Sequence, residues 1–535
     1  MILFINLGGT AEANSFCPLT GGKGFFCFKK ALKTQKGALH LHQDEQQSYM
    51  IRPDSRTIEE LAKTYNTIPI CKEVYADVVT PITLLRKLAQ LSRRYFLLES
   101  VEGGDKWARY SFLGLDPVMR VTCNNGIVTI EGDETRTIET DNPLDVVRSL
   151  LKNYHAPSLP DMPPFTGGFV GYFAYSMIGY AEPVLKLSKD SGSDFDLMLF
   201  DKVIAYDHFR QKICIVVNMC ADNVLENYGH AVTEIEKIVR IIQGREPLPR
   251  MKTAEKPEFS CNVTKDEYCE MVEKTKAYIR DGDIFQAVIS RRFSSAYSGS
   301  LLGAYRVLRT INPSPYMVYM HIDDLEVMST SPETLVRLQK GRLATFPVAG
   351  SRPRGKTDEE DTALENDLLA DEKELSEHNM LVDLARNDLG KISKISSVEV
   401  MDYMMIHRYS KIMHIASRVE SDISLEHDAL DAVEAILPAG TLSGAPKIRA
   451  CEIIEELEQT PRGIYGGALG YIDFTGNLDT CIAIRMAVKR GGTVSVQAGG
   501  GIVADSVPEK EYEESGNKAL AVINAIHRAN EVDDE

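Results

Sequence analysis

Residues 497–518 constrain the fold more than any other stretch, because their sequence, QAGGGIVADSVPEKEYEESGNK, changes character twice. A strand-like run at 493–498 is predicted to break at three consecutive glycines, Gly499, Gly500 and Gly501. Glycines in a row leave no side chain between the backbone N–H groups and a ligand, so a bound molecule can come close. The alternative is an ordinary flexible turn before an acidic helix.

Two acidic helices are predicted, and each places a pair of glutamates on one face. The helix after the glycines carries Glu511 and Glu514, which stand three residues apart. A second helix at 373–389 reads KELSEHNMLVDLARNDL and carries Glu374 and Glu377 at the same spacing. Because Mg²⁺ binds through carboxylates, waters and substrate oxygens, two such helices can converge on one ion. The alternative is a pair of solvated surface helices.

The composition is typical of a globular protein that does not bind polyanions. Of 535 residues, 44% are hydrophobic and 26% charged, and the net charge is −17. This length corresponds to roughly two to four domains, or two large ones. The negative balance argues against a nucleic-acid surface, and no apolar run approaches the roughly 18 residues of a membrane span. The ten cysteines form no C-x-x-C pair, which predicts scattered, reduced thiols in a cytoplasmic protein.

Pattern and composition divide the chain into four regions. Residues 1–49 are rich in glycine and lysine and show no period. They are predicted to be a disordered tail, a weak targeting segment or, if translation starts at Met50, a misassigned leader. Residues 50–243 mix short strands and helices, 244–258 carries three prolines and is predicted to be a linker, and 259–530 forms a larger second region. The predicted class is α+β, with large antiparallel sheets packed with helices.

Several elements are predicted together with their ends. The run RYFLLE at 94–99 is predicted to be a buried strand. A helix at 264–281 begins with a T-x-x-E capping box. A further helix at 222–243 is predicted to have Asp222 as its cap.

Further residues are suited to binding anions or moving protons. The turn TLSGAPK at 441–447 opens a helix whose free N–H groups suit an anion, although simple capping explains it too. A second glycine- and arginine-bearing loop, AGSRPRG, lies at 349–355. Arg485 lies in a strand-like run at 481–488, where a guanidinium usually has a carboxylate partner. His414, between apolar neighbours, is either a satisfied core residue or a proton carrier.

The chain resembles the chorismate-utilising enzymes in six motifs that follow one order: AGSRPRG, KELSEHNMLVDLARNDL, GTLSGAPK, RGIYGGALGY, LDTCIAIR and QAGGGIVADSVPEKEYEE. The likeness is densest over residues 264–525. LLES at 97–100 and the glycine- and aromatic-rich segment at 167–180 resemble one branch, the anthranilate synthase large subunits. The resemblance implies a β-sandwich with outer helices. It also implies the first step of tryptophan biosynthesis, in which chorismate becomes anthranilate.

The resemblance implies a metal site and a general acid. Glu377 and Glu514 would hold Mg²⁺, with Glu374 and Glu511 nearby through water, and the ion would bind the ring carboxylate of chorismate. Glu333, in the sequence TSPET, matches the general acid that helps the C4 hydroxyl to leave.

The resemblance also implies which residues surround the substrate. His414 and Thr441 would assist positioning and the elimination of pyruvate. Tyr465 and Arg485 would contact the enolpyruvyl side, and the three glycines would donate N–H bonds. The residues lining the substrate would be Gly350, Ser351, Tyr465, Arg485, Gly499, Gly500 and Gly501. One departure is Ser351, where the family pattern has threonine; the hydroxyl is kept.

Two positions indicate the branch. Relatives that add water carry a lysine base where this chain has Gln286, and a neutral amide cannot activate water in that way. The aminodeoxychorismate branch carries a nucleophilic lysine where this chain has Ala349. Both departures favour ammonia attack at C2, and aminodeoxychorismate synthase is the alternative. Because the sequence has no G-x-C-x-G nucleophile turn, ammonia is predicted to come from a separate glutamine amidotransferase subunit in a hetero-oligomer.

A feedback site for L-tryptophan is implied as well. Glu99 would meet the ammonium group, while Tyr316 and Met317 would pack against the indole. The predicted residues are Leu98, Glu99, Ser100, Pro315, Tyr316, Met317 and Cys481. The alternative is an ordinary buried strand end beside a proline-rich turn.

Two other functional classes compete with the enzyme described. A catalytically silent relative has no need of Glu333, Glu377, His414 and Glu514 together. A Mg²⁺-nucleotide enzyme would need a G-x-x-x-x-G-K-[ST] loop, which the sequence does not contain.

Overall fold

The computed structural model describes residues 51–77, 79–100, 109–188, 192–248, 251, 253–408 and 412–532. The predicted leader at 1–49 lies outside these ranges. In chain order the strands in the described ranges are β1 Thr67–Tyr75, β2 Arg94–Glu99, β3 Tyr110–Leu115, β4 Met119–Asn124, β5 Ile127–Glu131, β6 Thr135–Glu139, β7 Gly168–Phe173, β8 Phe195–Phe200, β9 Lys202–Asp207, β10 Lys212–Cys220, β11 Ser260–Cys261, β12 Gln286–Ala296, β13 Tyr316–Ile322, β14 Leu325–Ser331, β15 Thr334–Gln339, β16 Arg342–Thr345, β17 Val348–Pro353, β18 Glu399–Arg408, β19 Ile412–Asp422, β20 Gly444–Ala445, β21 Ala468–Asp473, β22 Leu478–Ile482, β23 Met486–Arg490 and β24 Thr493–Ile502.

The helices fall between these strands and mostly pack on the outside of the sheets. In chain order those of the described ranges are α1 Ser55–Leu61, α2 Pro81–Leu88, α3 Pro143–Leu151, α4 Ile178–Ala181, α5 Val224–Gln243, α6 Lys265–Arg280, α7 Leu301–Ile311, α8 Asp358–Ala370, α9 Glu372–Gly390, α10 Ala429–Ile436, α11 Lys447–Glu458 and α12 Pro508–His527.

The strands form two large antiparallel sheets. Among the described residues the first sheet has the order β1-β10-β9-β3-β2-β13-β14-β23-β24-β12-β11, with β20 paired to β12. The second has the order β17-β19-β16-β15-β22-β21-β7-β8-β4-β5-β6, with β18 paired to β19. One apolar core lies between the sheets and includes Phe96 and Val318 from the first and Tyr172 and Leu469 from the second. The predicted α+β class, a sandwich with outer helices, is confirmed.

Each sheet buries its other face under helices, as an amphipathic strand and helix require. Helices α1, α2, α5, α7 and α12 cover the first sheet, and their buried residues include Leu84, Ile235 and Leu308. Helices α3, α9 and α10 cover the second, with Val147 and Val433 buried. The motifs that carry the family resemblance lie where α9 meets β17, α11 meets β12 and α12 meets β24.

The predicted linker at 244–258 does not separate two sheets. The first sheet pairs β2, from the N-terminal region, with β13, from the C-terminal region. The second pairs β7 with β21 in the same way. Residues 49–535 form one compact unit, so the predicted boundary lies inside that unit.

Most predicted elements agree with the structure to within a few residues. The strand predicted at 94–99 is β2 at the same bounds, and α6 begins at the predicted capping box. Asp222 is not the cap of α5. The N-cap position is instead occupied by Asn223, and the helix begins at Val224. The Asp222 carboxylate accepts hydrogen bonds from the backbone N–H of Asn223 and from the side-chain amide of Asn227.

The prediction that all cysteines are reduced thiols is wrong for one pair. Cys71 of β1 and Cys214 of β10 form a disulfide, with Cα atoms 6.4 Å apart. They meet because β1 and β10 pair directly, with Cys71 opposite Val216, so the two cysteines lie diagonally on one face.

In the described part of the chain, no helix is both long enough and apolar enough to cross a bilayer.

Candidate active site

The glutamates of α9 and α12 each lie against a glycine of a nearby strand. A Cβ atom built on Gly350 of β17 would lie 3.1 Å from Oε2 of Glu374. One built on Gly500 of β24 would lie 3.0 Å from Oε2 of Glu511. The start of α9 is fixed by Asp371, whose side chain accepts two backbone N–H groups of the first turn. The two glycines therefore leave room for the carboxylates beside the backbone.

The four predicted metal ligands act on one another electrostatically. Burial raises the pKa values of Glu374, Glu377 and Glu511, and the charge of Glu514 adds to the rise in each case. Glu514 differs: burial acts to raise its pKa, but the positive charges of Lys518, 2.7 Å from its carboxylate, and of Lys373 and Arg485 together lower it. Acids from two distant segments thus gather in one place.

The donor set fits Mg²⁺ in its chemistry. As the side chains stand, no group of three His, Cys, Asp or Glu side chains within the described ranges is close enough to hold a metal ion together. The four carboxylates nevertheless offer only oxygen ligands, which Mg²⁺ prefers. Three of them are partly buried and short of compensating positive charge, as their raised pKa values show. A divalent cation would supply that charge.

The predicted break in the strand at the glycines is wrong. Strand β24 continues through them, with Gly499, Gly500 and Gly501 opposite Ser290, Ile289 and Val288 of β12. Only glycine fits here, because a Cβ on Gly499 would lie 2.4 Å from a backbone oxygen of β12. In the described residues β24 pairs with β23 only up to Val496. On that side of the strand, the backbone groups of the glycines therefore have no strand partner.

That open edge meets a tyrosine and a lysine. The N–H of Gly499 is directed at the phenolic oxygen of Tyr465, whose pKa burial raises to about 12. Its carbonyl oxygen accepts a hydrogen bond of 3.1 Å from Nζ of Lys518. The glycine backbone, Tyr465 and Lys518 therefore face one space.

Glu333 is held as a proton donor. It lies between β14 and β15, and Thr441 donates a 3.1 Å hydrogen bond to its Oε1. Burial raises the pKa of Glu333 to about 8, although the bond from Thr441 acts to lower it. At neutral pH the carboxyl group is thus mostly protonated, as a general acid requires.

His414 lies beside Gly350 as a neutral imidazole. Its Nδ1 is 3.2 Å from the carbonyl oxygen of Gly350, which can only accept, so Nδ1 carries the proton. Burial lowers the pKa of His414. The register pairs His414 with Ser351 across β17 and β19, next to a bulge at Ala349. The Ser351 side chain is exposed.

Arg485 does not lie within a strand. It stands between β22 and β23 with φ of +49°. The chain turns at this residue, so its side chain does not follow the alternation of a regular strand. Its Nη1 lies 3.5 Å from the carbonyl oxygen of Lys518. The part of the chain that the structure describes holds no carboxylate in ion-pairing contact with it, and burial lowers its pKa.

Gln286 presents an amide to the same region. Its Nε2 would lie 2.1 Å from a Cβ built on Gly501, so the amide packs on the glycine backbone. The residue is 3% exposed. Its Oε1 is buried and has no hydrogen-bond partner in the described structure, which is costly unless a ligand supplies a donor.

A separate cavity collects the predicted feedback residues. Its cavity volume is about 210 Å³, and it is lined by residues of both sheets. Of the predicted set, its walls include Leu98, Glu99, Ser100, Pro315, Tyr316 and Met317. Cys481 does not line it, but lies opposite Thr334, which does.

Glu99 does not offer a free carboxylate to this cavity. Its Oε2 accepts a 2.7 Å hydrogen bond from Tyr305, and its Oε1 accepts one of 3.0 Å from Arg309. Both partners lie on α7, behind the cavity. The carboxylate is therefore already compensated, and a ligand ammonium would have to share it.

Two residues of these sites were missed in the sequence. Lys518 follows Glu514 by four residues on one helix face, a spacing that could have revealed it. Asp479 lines the cavity that collects the predicted feedback residues, where Tyr316 donates a 2.8 Å hydrogen bond to the Asp479 carboxylate. No local pattern marks Asp479, because only the pairing of β21, β22 and β15 brings it there.

Comparisons with known proteins agree with this arrangement. A family profile described as chorismate binding enzyme matches residues 95–524. Anthranilate synthase component 1 of Acetivibrio thermocellus is 46% identical over 499 residues, covering 90% of this chain and 100% of that protein. The same component of Aquifex aeolicus is 46% identical over 486 residues, covering 89% and 98%.

Solved structures show the same fold. Anthranilate synthase component I from Streptococcus pneumoniae TIGR4 superposes with a TM-score of 0.71 at 34% identity, covering 84% of this chain and 99% of that one. MenF, the menaquinone-specific isochorismate synthase from Escherichia coli, shares the fold with a TM-score of 0.65 at 19% identity, covering 88% and 100%. The chain belongs to the chorismate-binding enzymes, in the branch of the anthranilate synthase large subunits.

Proposed function

We propose that this enzyme converts chorismate to anthranilate by a Mg²⁺-dependent amination at C2 with ammonia, followed by elimination of pyruvate. The observation that carries the proposal is the gathering of carboxylates from α9 and α12 beside the glycines of β17 and β24, together with Glu333, whose pKa burial raises. An anionic substrate would otherwise be repelled by those acids, so a divalent cation belongs between them.

The carboxylates would hold the ion and thereby the substrate. Glu377 and Glu514 would bind Mg²⁺, with Glu374 and Glu511 acting through water. When bound, Mg²⁺ supplies positive charge that attracts the ring carboxylate and offsets the raised pKa values of the glutamates. The ammonium of Lys518 already supplies part of this positive charge, since it contacts the Glu514 carboxylate.

The second carboxylate of chorismate would meet the side of the site that carries positive charge. Arg485 has a buried guanidinium with no protein carboxylate beside it in the described residues. Tyr465 and the N–H groups at the open edge of Gly499 and Gly501 add neutral donors. A charged and hydrogen-bonded carboxylate would be fixed there in one orientation, which is how a site positions a substrate for reaction.

Proton transfer and the nucleophile would be governed by Glu333 and Gln286. The Glu333 carboxyl group would protonate the departing C4 hydroxyl, so that it leaves as water. The unpartnered Oε1 of Gln286 can accept an N–H bond from ammonia, whereas an amide cannot remove a proton from water. His414, neutral and held by Gly350, would position the ring and assist the loss of pyruvate.

A partner and a regulator complete the proposal. Ammonia would come from glutamine through a separate amidotransferase subunit, because the chain has no nucleophile turn of its own and its relatives are named component 1. L-tryptophan would bind the cavity between the sheets, with Tyr316 and Met317 against its indole. Inhibition would follow if tryptophan prefers a state that binds chorismate less well.

The test is direct. The purified chain is mixed with chorismate, Mg²⁺ and ammonium at mildly alkaline pH, and the blue fluorescence of anthranilate is followed. We expect fluorescence that disappears with a chelator and is restored by Mg²⁺, and that tryptophan suppresses. A 4-amino product instead of anthranilate would move the chain to the aminodeoxychorismate branch. Anthranilate formation insensitive to tryptophan would reject the feedback role of the cavity.

A further inference from the structure

A smaller cavity, distinct from the one that collects the predicted feedback residues, is lined by Glu333 and Thr441 and by none of the glycines of β24. Its cavity volume is about 40 Å³, enough for a few water molecules, since roughly 10–15 Å³ of such volume holds one. Its walls are mostly apolar and include Leu384, Ala385 and Ile436. Only two titratable side chains, Glu333 and Asp388, are among the described residues that line it. None of the predicted metal ligands borders it.

Asp388 joins this cavity to the protein surface. Its side chain is 5% exposed and accepts a 2.7 Å bond from Lys447, which is 10% exposed. Its other oxygen accepts a 3.3 Å bond from Lys391, which is 46% exposed and reaches solvent. Lys447 also donates to the carbonyl oxygen of Ile436, so it is fixed in place.

The reaction creates a need for such a connection. In the proposed function, Glu333 gives its proton to the departing hydroxyl, which leaves as water, and becomes a carboxylate. The carboxylate must regain one proton before the next turnover. Ammonia releases one proton at C2 when it forms its bond to carbon, so the overall reaction is balanced whichever route returns a proton to Glu333.

We propose that the cavity behind Glu333 is the route by which this general acid regains its proton, with Asp388 and Lys391 as the outer end. A proton passes from the Lys391 ammonium to the Asp388 carboxylate, then through cavity water to the Glu333 carboxylate. Lys391 takes a replacement proton from solvent. Thr441 donates its hydroxyl hydrogen to Glu333 and Thr345 donates to the carbonyl oxygen of Leu335, so both hydroxyl oxygens can still accept a hydrogen bond from such water. This inference rests on the proposed role of Glu333.

Lys447 acts in this scheme as a positioning residue. Its ammonium holds Asp388 toward the cavity, and burial lowers the pKa of Lys447 even beside that carboxylate. Because Lys447 is the first residue of α11, it also ties the turn that carries Thr441 to α9. The lysine of the TLSGAPK motif thereby receives a role that the substrate site does not give it.

The decisive experiment separates the first turnover from later ones. Ala385→Leu fills the cavity without changing a charge. Full-length wild type and variant are mixed rapidly with chorismate, Mg²⁺ and ammonium, and anthranilate fluorescence is recorded. Because Glu333 starts protonated, we expect a first turnover close to the wild-type rate, followed by a steady-state rate about tenfold lower, less than the roughly 10²–10⁴-fold that full loss of a general acid costs.

A second variant tests the outer end without touching the buried pair. Lys391→Met should give the same burst, and added imidazolium buffer should restore the steady-state rate in proportion to its concentration. Ala363→Leu, on the exposed face of α8, is the control for an added leucine and should behave as wild type. If both test variants slow the first turnover as much as later ones, or change neither, the route is rejected. Wild type that makes no anthranilate would instead reject the proposed function, and Glu333→Gln with full activity would reject its general acid.

Discussion

Two carboxylate sites in this molecule, the buried Glu99 and the partly exposed cluster on α9 and α12, have opposite charge environments. Glu99, with a side chain 1% exposed, has Arg309 at 3.0 Å and Tyr305 at 2.7 Å. The cluster on α9 and α12 holds four glutamates, and among the described residues only Glu514 has an ion-pairing lysine, Lys518. One carboxylate is fully compensated by its own fold, while the cluster is left with an excess of negative charge.

The difference separates stability from function. A compensated buried acid adds to the packing of its surroundings, and losing it leaves an unpaired arginine. A cluster of like charges costs stability and persists where an external cation or ligand supplies the missing charge. The contrast predicts that mutations in the two places fail in different ways.

The largest expected effect is loss of activity at the cluster. Glu377→Gln should abolish Mg²⁺-dependent turnover of chorismate, because an amide lacks the charge to hold the ion, while the melting temperature stays the same or rises as repulsion is relieved. Anthranilate fluorescence and thermal unfolding measure the two quantities. Glu372→Gln, exposed at the start of the same helix, is the matched control and should keep full activity. Retained turnover in Glu377→Gln would remove this residue from the metal site.

The opposite response is expected at the feedback cavity. Glu99→Gln should lower the free energy of unfolding by about 1–3 kcal/mol, because the partly buried guanidinium of Arg309 loses its charged partner. Inhibition by tryptophan should weaken in the same variant. Denaturant unfolding and an inhibition curve measure the two effects, with the exposed Glu134→Gln as control. Unchanged stability would show that the Arg309 contact does not form in solution.

The smallest effect sharpens the comparison through pH. Since Glu374, Glu377 and Glu511 have pKa values raised above their usual 4.5, the folded chain binds these protons more tightly than the unfolded chain. Their contribution to stability is therefore present below pH 4.5 and lost as pH rises through the raised values. Mg²⁺ should add stability that grows over the same pH range. Thermal unfolding with and without Mg²⁺ measures this; a Mg²⁺ effect independent of pH would contradict it.

Sequence reasoning captured what is local in the site. The three-residue spacing of Glu374 and Glu377, and of Glu511 and Glu514, predicts that each pair lies on one face of a helix. Both pairs do lie on helices, because helix geometry depends only on a short segment. The capping box at the start of α6 was equally readable. Glu333 is identified only through the family resemblance, because the residues next to it in sequence do not indicate a raised pKa.

What the sequence could not give depends on pairing between distant strands. The three glycines suggest a break when read alone, but opposite β12 they are the residues that permit a continuous strand. Glu99 suggests a free acid until α7 is placed behind it. Likewise the predicted linker suggests a boundary, because no local pattern shows that β2 pairs with β13.

The pairing of β12 with β24 has a consequence for synthesis on the ribosome. Gly499 to Gly501 and the acids of α12 lie in the last segment of the chain, and β24 stands between β23 and β12 in the first sheet. A nascent chain therefore cannot complete that sheet, or build a place for a cation, until nearly its whole length has emerged. Contacts this far apart in sequence form slowly, so a product cut short before β24 would leave the β12 edge that pairs with β24 exposed and would lack the acids of α12.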